Sequence, residues 1–294
     1  MKITTTGSLG NVGQPLVKLL VAAGHDVTVI TSNTDRTQAI VALGANAAVG
    51  SISDADFLAN AFAGADAVYT MTPPAMGQNI IENIANAGAA YADAIKKAGV
   101  KRVVMLSSIG ADVPEGTGPV IGVHKVEQIY KQLSDVNLTI VRAGNFYNNY
   151  LRDISLIKNK GILGSNFGGD QRLVLTHPND IAATIATELQ SAGNGVDIKY
   201  IVSDIATGKK VAALLGKAIG NPQLPWIEFT DVQVEQGMLA AGLPAELVGL
   251  ITEMGRGMRE GLLTEDFFAS GAPVNGATKL EDFSAEFKAI YQHQ

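Results

Sequence analysis

The chain has 294 residues, 47% of them apolar and 17% charged, which is enough to bury a sizeable core and too apolar for a disordered segment. A net charge of −6 argues against a non-specific nucleic-acid binder, which carries a basic excess or stripe. With no cysteine at all, disulfides, thiolate metal sites and a cysteine nucleophile are excluded, and no metal site is expected. MKITTTG opens as a strand rather than a targeting segment, and no apolar run nears the ~18 residues of a membrane span. A cytoplasmic protein with no membrane partner is the expectation.

KITTT (2–6) leads through a glycine turn into VGQPLVKLLVAAG (12–24), whose apolar positions have helical spacing, and then HDVTVIT (25–31) reads as a buried strand. DRTQAIVALG (35–44), NAAVG (46–50), DADFLANAFAG (54–64) and ADAVYTM (65–71) continue the alternation. A long helix is predicted over about 77–98, ending in the basic cluster KKAGVKR (96–102), where cations suit a helix C-terminus. KRVVMLSS (101–108) is a strand, IGVHKVEQIYKQLSD (121–135) a helix and NLTIVRAG (137–144) the next strand. The pattern predicts an α/β fold, a Rossmann-type doubly wound parallel sheet with helices on both faces. Strands as apolar as VTVI and RVVML fit a sheet covered on both sides.

After Gly144 the rhythm changes. Residues 145–171 are rich in glycine and asparagine around a short apolar helix, 177–190 read as a helix with Asp180 near its start, and 197–204 as one last strand. From 207 onward the chain is largely helical, and glycines at 237, 242, 249, 255, 257 and 261 suggest short helices with frequent breaks. The expected organisation is a dinucleotide-binding domain over 1–150, rejoined by 172–206. A smaller, mainly helical substrate-covering domain spans 207–294 together with 151–171. It would lie over the C-terminal edge of the sheet, where open α/β folds bind ligands.

TTTGSLGNVG ends a strand and opens a helix, with Gly7, Gly10 and Gly13 three residues apart. Such a turn needs positive φ and close backbone approach, which glycine supplies, and the helix start offers free N–H groups to a pyrophosphate. The spacing resembles the TGxxGxxG turn of extended and atypical short-chain dehydrogenases. Thr6, Ser8, Asn11 and Val12 join the three glycines as cofactor contacts. At the end of the second strand Thr31, Ser32 and Asn33 carry no charge, Asp35 reads as the cap of the next helix, and Arg36 is within reach of a 2′-phosphate. That favours NADP over NAD, with Arg36 as an ordinary solvated residue the alternative. Ser51 and Ile52 after the third strand, and Met71, Thr72 and Pro73 after the fourth, fall by topology beside the adenosine and diphosphate.

Ser107 and Ser108 end a strand where the short-chain superfamily places its catalytic serine. In that family a YxxxK pair follows, the tyrosine protonating the substrate oxygen and the lysine binding the ribose. Here the stretch reads IGVHK: Lys125 matches, and Ile121 replaces the tyrosine. Ser107, His124 and Lys125 are the candidates for chemistry. His124 points about 100° away from Lys125 around the helix, and with Glu127 it reads either as a paired couple or as a solvated polar face. A quinone leaves a phenolate-like oxygen with a pKa of about 10 and needs no dedicated acid. An aliphatic ketone leaves an alkoxide near the ~16 of water and needs one.

VRAGNFYNNYL (141–151) resembles the R-x-G-x-[FY]-x-x-N segment of NmrA-like atypical short-chain proteins. LAAGLPAELVGLITEMGRGMREGLL (239–263) and ATKLEDFSAEF (277–287) resemble the ending of NmrA-like NAD(P)H:quinone oxidoreductases. The resemblance implies an NADPH-binding protein with Gly144, Asn145, Phe146 and Tyr147 beside the nicotinamide, and a small-molecule acceptor such as a quinone. The same family contains cofactor-sensing proteins that contact a protein partner with little turnover, and that reading stays open.

Overall fold

The computed structural model describes residues 1–73 and 77–294. The first half follows the predicted alternation: β1 (Lys2–Thr5), α1 (Gly13–Ala22), β2 (Asp26–Thr31), α2 (Thr37–Ala42), β3 (Asn46–Val49), α3 (Ala55–Phe62) and β4 (Ala67–Thr70). Then come α4 (Ile80–Ala98), β5 (Arg102–Ser108), α5 (Val120–Tyr130) and β6 (Asn137–Ala143). The second half begins with β7 (Asn145–Phe146), α6 (Ile154–Lys160), β8 (Leu163–Ser165), β9 (Arg172–Thr176), α7 (Pro178–Leu189), β10 (Val196–Ile201) and β11 (Asp204–Thr207). It ends with α8 (Gly208–Ala218), β12 (Trp226–Glu228), α9 (Asp231–Ala240), α10 (Ala245–Glu260), α11 (Glu265–Ser270) and α12 (Leu280–His293).

Seven strands form one sheet in the order β10-β6-β5-β4-β1-β2-β3, every pairing parallel. The chain steps outward from β1 to β2 and β3, then returns to the other side of β1 at β4. The winding therefore reverses between β1 and β4, and ligands of open α/β sheets bind outside the strand ends at such a reversal. Side chains alternate across the sheet: Val104 and Leu106 of β5 pack with α1 and α7, and Val103 and Met105 with α3, α4 and α5. Both faces are covered, so β5 has no solvent side and its Val103–Leu106 stretch is an unbroken apolar run.

The second half builds two small sheets, β11-β9-β7 and β12-β8, over an apolar core that includes Tyr147, Phe283 and Phe287. Of residues 172–206, α7 and β10 lie with the large sheet, while β9 and β11 belong to the small one. The run 197–204 is therefore two strands rather than one. After Ile201 the chain crosses to β9, the Ser203 amide donating to the Leu175 carbonyl (2.8 Å), and β11 runs antiparallel to β9. The buried Asp180 fixes this crossing. Its Oδ2 accepts from the Ser203 hydroxyl (2.6 Å) and the Thr278 amide (3.0 Å), and its Oδ1 accepts from the Thr278 hydroxyl (3.0 Å).

The tail breaks at Gly242 and Gly261 as expected, but not at the glycines between them. α10 runs unbroken through Gly249, Gly255 and Gly257, because two of these glycines serve close approach. A Cβ on Gly255 would lie 1.8 Å from Asn166 Oδ1, and one on Gly257 would lie 2.3 Å from the Gly116 carbonyl. α10 is also fastened to the first half by two carboxylates. Glu246 accepts from the Asn79 and Ile80 amides (2.8 and 2.7 Å) at the start of α4, and Glu253 accepts from the Gly116 amide (3.0 Å). No helix among the described residues is long and apolar enough to cross a membrane.

Gly255→Ala should force apart α10 and Asn166, whose amide is already held by Asp231 and the Thr252 carbonyl (2.8 and 2.9 Å). Overpacking of this kind costs about 1–3 kcal/mol. A lowered urea midpoint is the expected outcome, and an unchanged midpoint would show that Asn166 gives way freely.

Candidate functional site

The glycine turn sits at the reversal point. Gly7 has φ 83°, and a Cβ there would lie 2.5 Å from the Met71 sulfur. A Cβ on Gly13 would lie 2.1 Å from the Ser8 carbonyl, so the first turn of α1 can close over the loop only with glycine at that position. Thr6 braces the turn: its hydroxyl accepts from the Met71 amide (2.8 Å) and donates to the Met71 carbonyl (3.3 Å), joining the ends of β1 and β4. α1 has no side-chain cap and no acid in its first turn; the Gln14 amide is taken by the Gly10 carbonyl (3.0 Å) and Pro15 has none, which leaves the Gly13 N–H and the helix dipole for an anion. Among the described residues the buried Ser8 hydroxyl has no hydrogen-bond partner, and a phosphate oxygen would supply one. The residues present fit a pyrophosphate. Asn11 and Val12 complete the turn, the former exposed and the latter buried in the core against α1.

At the tip of β2 the Thr31 hydroxyl accepts from the Asn33 amide (3.2 Å), and Ser32, Asn33 and Arg36 are exposed. The cap assigned to Asp35 belongs to Asn33, whose Oδ1 accepts from the Asp35 amide (2.8 Å). Asp35 itself falls within the tight turn Thr34–Arg36 rather than before the helix. Among the described residues Arg36 forms no ion pair. The Ser51 hydroxyl accepts from the Ser53 amide (3.1 Å), Ile52 packs at the edge of the core, and Met71, Thr72 and Pro73 follow β4.

At the other end of the cleft the two serines of β5 part company. Ser107, expected at the reaction centre, is buried and donates to Glu127 Oε1 (2.6 Å) on α5, because strand alternation puts it on the α5 side. Ser108 lines a cavity instead. Glu127 is fully buried and therefore does not pair with His124. Arg142 clasps it through Nε (3.0 Å) and Nη2 (2.8 Å) and extends Nη1 to Asp266 (2.7 Å) and the Tyr200 hydroxyl (3.2 Å). Burial pushes the Glu127 carboxyl up, but Arg142, Ser107 and Lys131 together outweigh it and hold the group below the ordinary carboxylate range. Burial pushes the Asp112 carboxyl up, and the like charges of Asp266 and Glu127 add to that.

His124 Nδ1 lies 2.8 Å from the Ala111 carbonyl, the contact expected of a donating Nδ1–H. The Lys125 ammonium is half-exposed and paired with Glu82 in the first turn of α4. The Gly144 amide donates to Thr176 (2.9 Å), and Asn145 Oδ1 accepts from Asn149 Nδ2 (2.6 Å). The two aromatics predicted beside the nicotinamide diverge. Phe146 is half-buried against the sheet core. Tyr147 is fully buried, packed on Phe283 with ring centroids 5.3 Å apart.

The cavity, about 120 Å³, lies between Ser108, Asn145 and α10. Ile109 and Val120 form one side, Phe167 and Leu173 another, and Met254 and Met258, one helical turn apart, a third. Among its lining residues only Ser108, Asn145 and Ser165 are polar, and none is titratable. Sequence reasoning singled out Asn145 and passed over Phe167, Met254 and Met258. The i, i+4 methionine spacing was a usable signal, but it is shared with any core helix.

Residues 7–192 match the family described as NAD(P)H-binding, and this covers more than half of the chain. The protein belongs to that NAD(P)H-binding family, as the short-chain resemblance of its glycine turn implies. Among solved structures it is similar to an NADPH-dependent quinone oxidoreductase of Escherichia coli complexed with NADPH. That pair is 22% identical with a TM-score of 0.79, over 97% of this chain and 99% of that one. It is also similar to the triphenylmethane reductase of Citrobacter sp. complexed with NADP(H), at 17% identity and a TM-score of 0.80, over 97% and 99% of the two chains. A nucleoside-diphosphate-sugar epimerase of Staphylococcus aureus aligns at 18% identity with a TM-score of 0.81, over 97% and 100%. At such identities the likeness establishes the shared fold. No curated protein matches the sequence.

Replacing Arg142 by Met leaves the Glu127 carboxylate buried without its main partner, a change that costs about 3–5 kcal/mol. In the wild type the folded-state pKa of Glu127 is depressed, so its contribution is complete above the ordinary value of 4.5 and is lost as pH falls through the lowered one. In the variant burial dominates and the sign reverses. The gap in unfolding free energy between the two proteins should therefore be large at neutral pH and narrow as pH approaches about 4. Urea titrations across that range measure it.

Proposed function

We propose that the protein is an NADPH-dependent oxidoreductase that reduces a quinone or a similar conjugated acceptor. The observation that carries this reading is the apolar cavity at the C-terminal strand edge, walled without a single titratable side chain. The bound cofactor would supply hydride; the chain supplies position and one hydrogen bond. Asn145 lines the cavity and its Oδ1 is taken by Asn149, which leaves Nδ2–H as its donor for the acceptor oxygen. Ile121 has no proton to give. A quinone oxygen becomes phenolate-like, with a pKa of about 10, and collects its proton from water, whereas an alkoxide near ~16 would need an acid the cavity does not hold.

In this reading Lys125 leaves Glu82 for the ribose hydroxyls, and Arg36 meets the 2′-phosphate at the uncharged tip of β2. The glycine turn and Ser8 hold the pyrophosphate. Ser107 and His124 act at one remove, fixing α5 against β5 and against the Ala111 loop so that Lys125 is held at the cleft.

Following the absorbance of reduced cofactor with small quinones tests the proposal. Turnover should be faster with NADPH than with NADH. Micromolar cofactor binding without turnover on any quinone would sink the enzyme reading and leave a cofactor sensor. Lys125→Ala should raise the KM for cofactor and lower turnover by tenfold or more, on the order of 1.4 kcal/mol. Unchanged values for both would remove Lys125 from the site. Arg36→Ala should erase most of the NADPH preference, and an unaltered NADPH/NADH ratio would refute its assignment.

A further inference from the structure

The cavity has two kinds of wall. Met254 and Met258 on α10 are unbranched and adaptable, so they follow the shape of a ligand. Phe167 does not have that freedom, because Trp226 stands directly behind it. Their ring centroids are 5.4 Å apart, and Trp226 Nε1 donates to the Phe167 carbonyl (3.2 Å). The indole is itself seated against Gly208, where a Cβ would come within 2.7 Å of the ring carbons. Trp226 also lines a second hollow, about 580 Å³ and polar, together with Gln171, Lys209, Glu228 and Arg259. The Phe167–Trp226 pair thus stands between a small apolar chamber and a larger, polar-lined hollow.

The chamber, at about 120 Å³, is on the scale of a dry protein cavity of ~150 Å³ that takes one benzene ring. We propose that Phe167, held by Trp226, is the specificity-determining residue for the acceptor. It admits a single six-membered ring and excludes fused rings. This rests on the oxidoreductase reading for the identity of the ligand, but the size limit itself is a property of the chamber. Truncating Phe167 deletes a ring of the same size as the ligand and enlarges the chamber toward Trp226, without touching the residues assigned to the cofactor.

Calorimetric titration of the protein saturated with NADP⁺ by phenol and by 2-naphthol reads the limit with no turnover required. Phenol should bind and 2-naphthol should bind at least tenfold more weakly. Phe167→Ala should reverse the order, and Phe167→Leu, the milder change, should narrow the gap. With quinones as substrates, Phe167→Ala should raise the ratio of kcat/KM for 1,4-naphthoquinone over 1,4-benzoquinone at least tenfold. Equal or tighter binding of 2-naphthol by the wild-type protein would overturn the proposal without any variant. So would an unchanged preference in a Phe167 variant that melts like the wild type. Absence of quinone turnover alongside the expected ring-size selection would count against the oxidoreductase reading alone.

Discussion

Glu127 and Arg142 form the buried charged pair on which the cleft depends. Neither is tolerable alone in that position, since an unpaired buried charge is far more costly than the pair itself. Together they use almost every hydrogen-bonding position they have. Glu127 fixes α5, Ser107 ties the end of β5 to it, and Arg142 extends from β6 to Asp266 at α11. Four elements from both halves of the chain are thereby set relative to one another. Lys125, two residues from Glu127 on α5, inherits its position from that arrangement. A helix held only by apolar contacts could slide or rotate, whereas a bidentate guanidinium–carboxylate contact has one geometry.

The second half contributes to the site mainly through α10. Its two carboxylates cap backbone amides of the first half, and its glycines let it lie against Asn166 and the Gly116 loop. This places Met254 and Met258 over the strand ends. The glycine-turn cleft and the apolar cavity are therefore built from different parts of the chain: the former from strand ends of the parallel sheet, the latter largely from residues beyond Gly144. Proteins that share this fold can hold the cofactor in the same way and yet differ in what they reduce.

The parallel sheet was legible because its physics is local. Apolar runs of strand length alternate with helical periodicity, and a glycine turn after the first strand can be recognised from spacing alone. Ile121 and Lys125 could be placed on one helix from the spacing of IGVHK. What remained hidden depends on contacts distant in sequence. Glu127 looks like a surface acid until Arg142 and Ser107 are seen to enclose it. Nothing in the pair Ser107-Ser108 says which one faces the chamber, since that follows from which side of the sheet α5 occupies. The glycines of α10 resemble helix breakers, and only the closeness of Asn166 and Gly116 shows them to be packing surfaces. Phe167 lies in a loop whose sequence carries no periodic signal, so its role emerges only with Trp226, far away in sequence, behind it.

Asp180 has a consequence for how the molecule is made. Its two carboxylate oxygens are occupied by Ser203 and by the amide and hydroxyl of Thr278, and the Gly276 amide binds the Val202 carbonyl close by. The helix that carries Asp180 packs on the large sheet, yet two of its donors come from Thr278, 98 residues further along the chain. During translation the large sheet can assemble while this acid is still short of donors, with water standing in. Chains grow at about 5–20 residues per second, so the site spends several seconds in that state. Closure of the Asp180 cluster then waits on a segment made later, which seals a joint in a layer laid down before it.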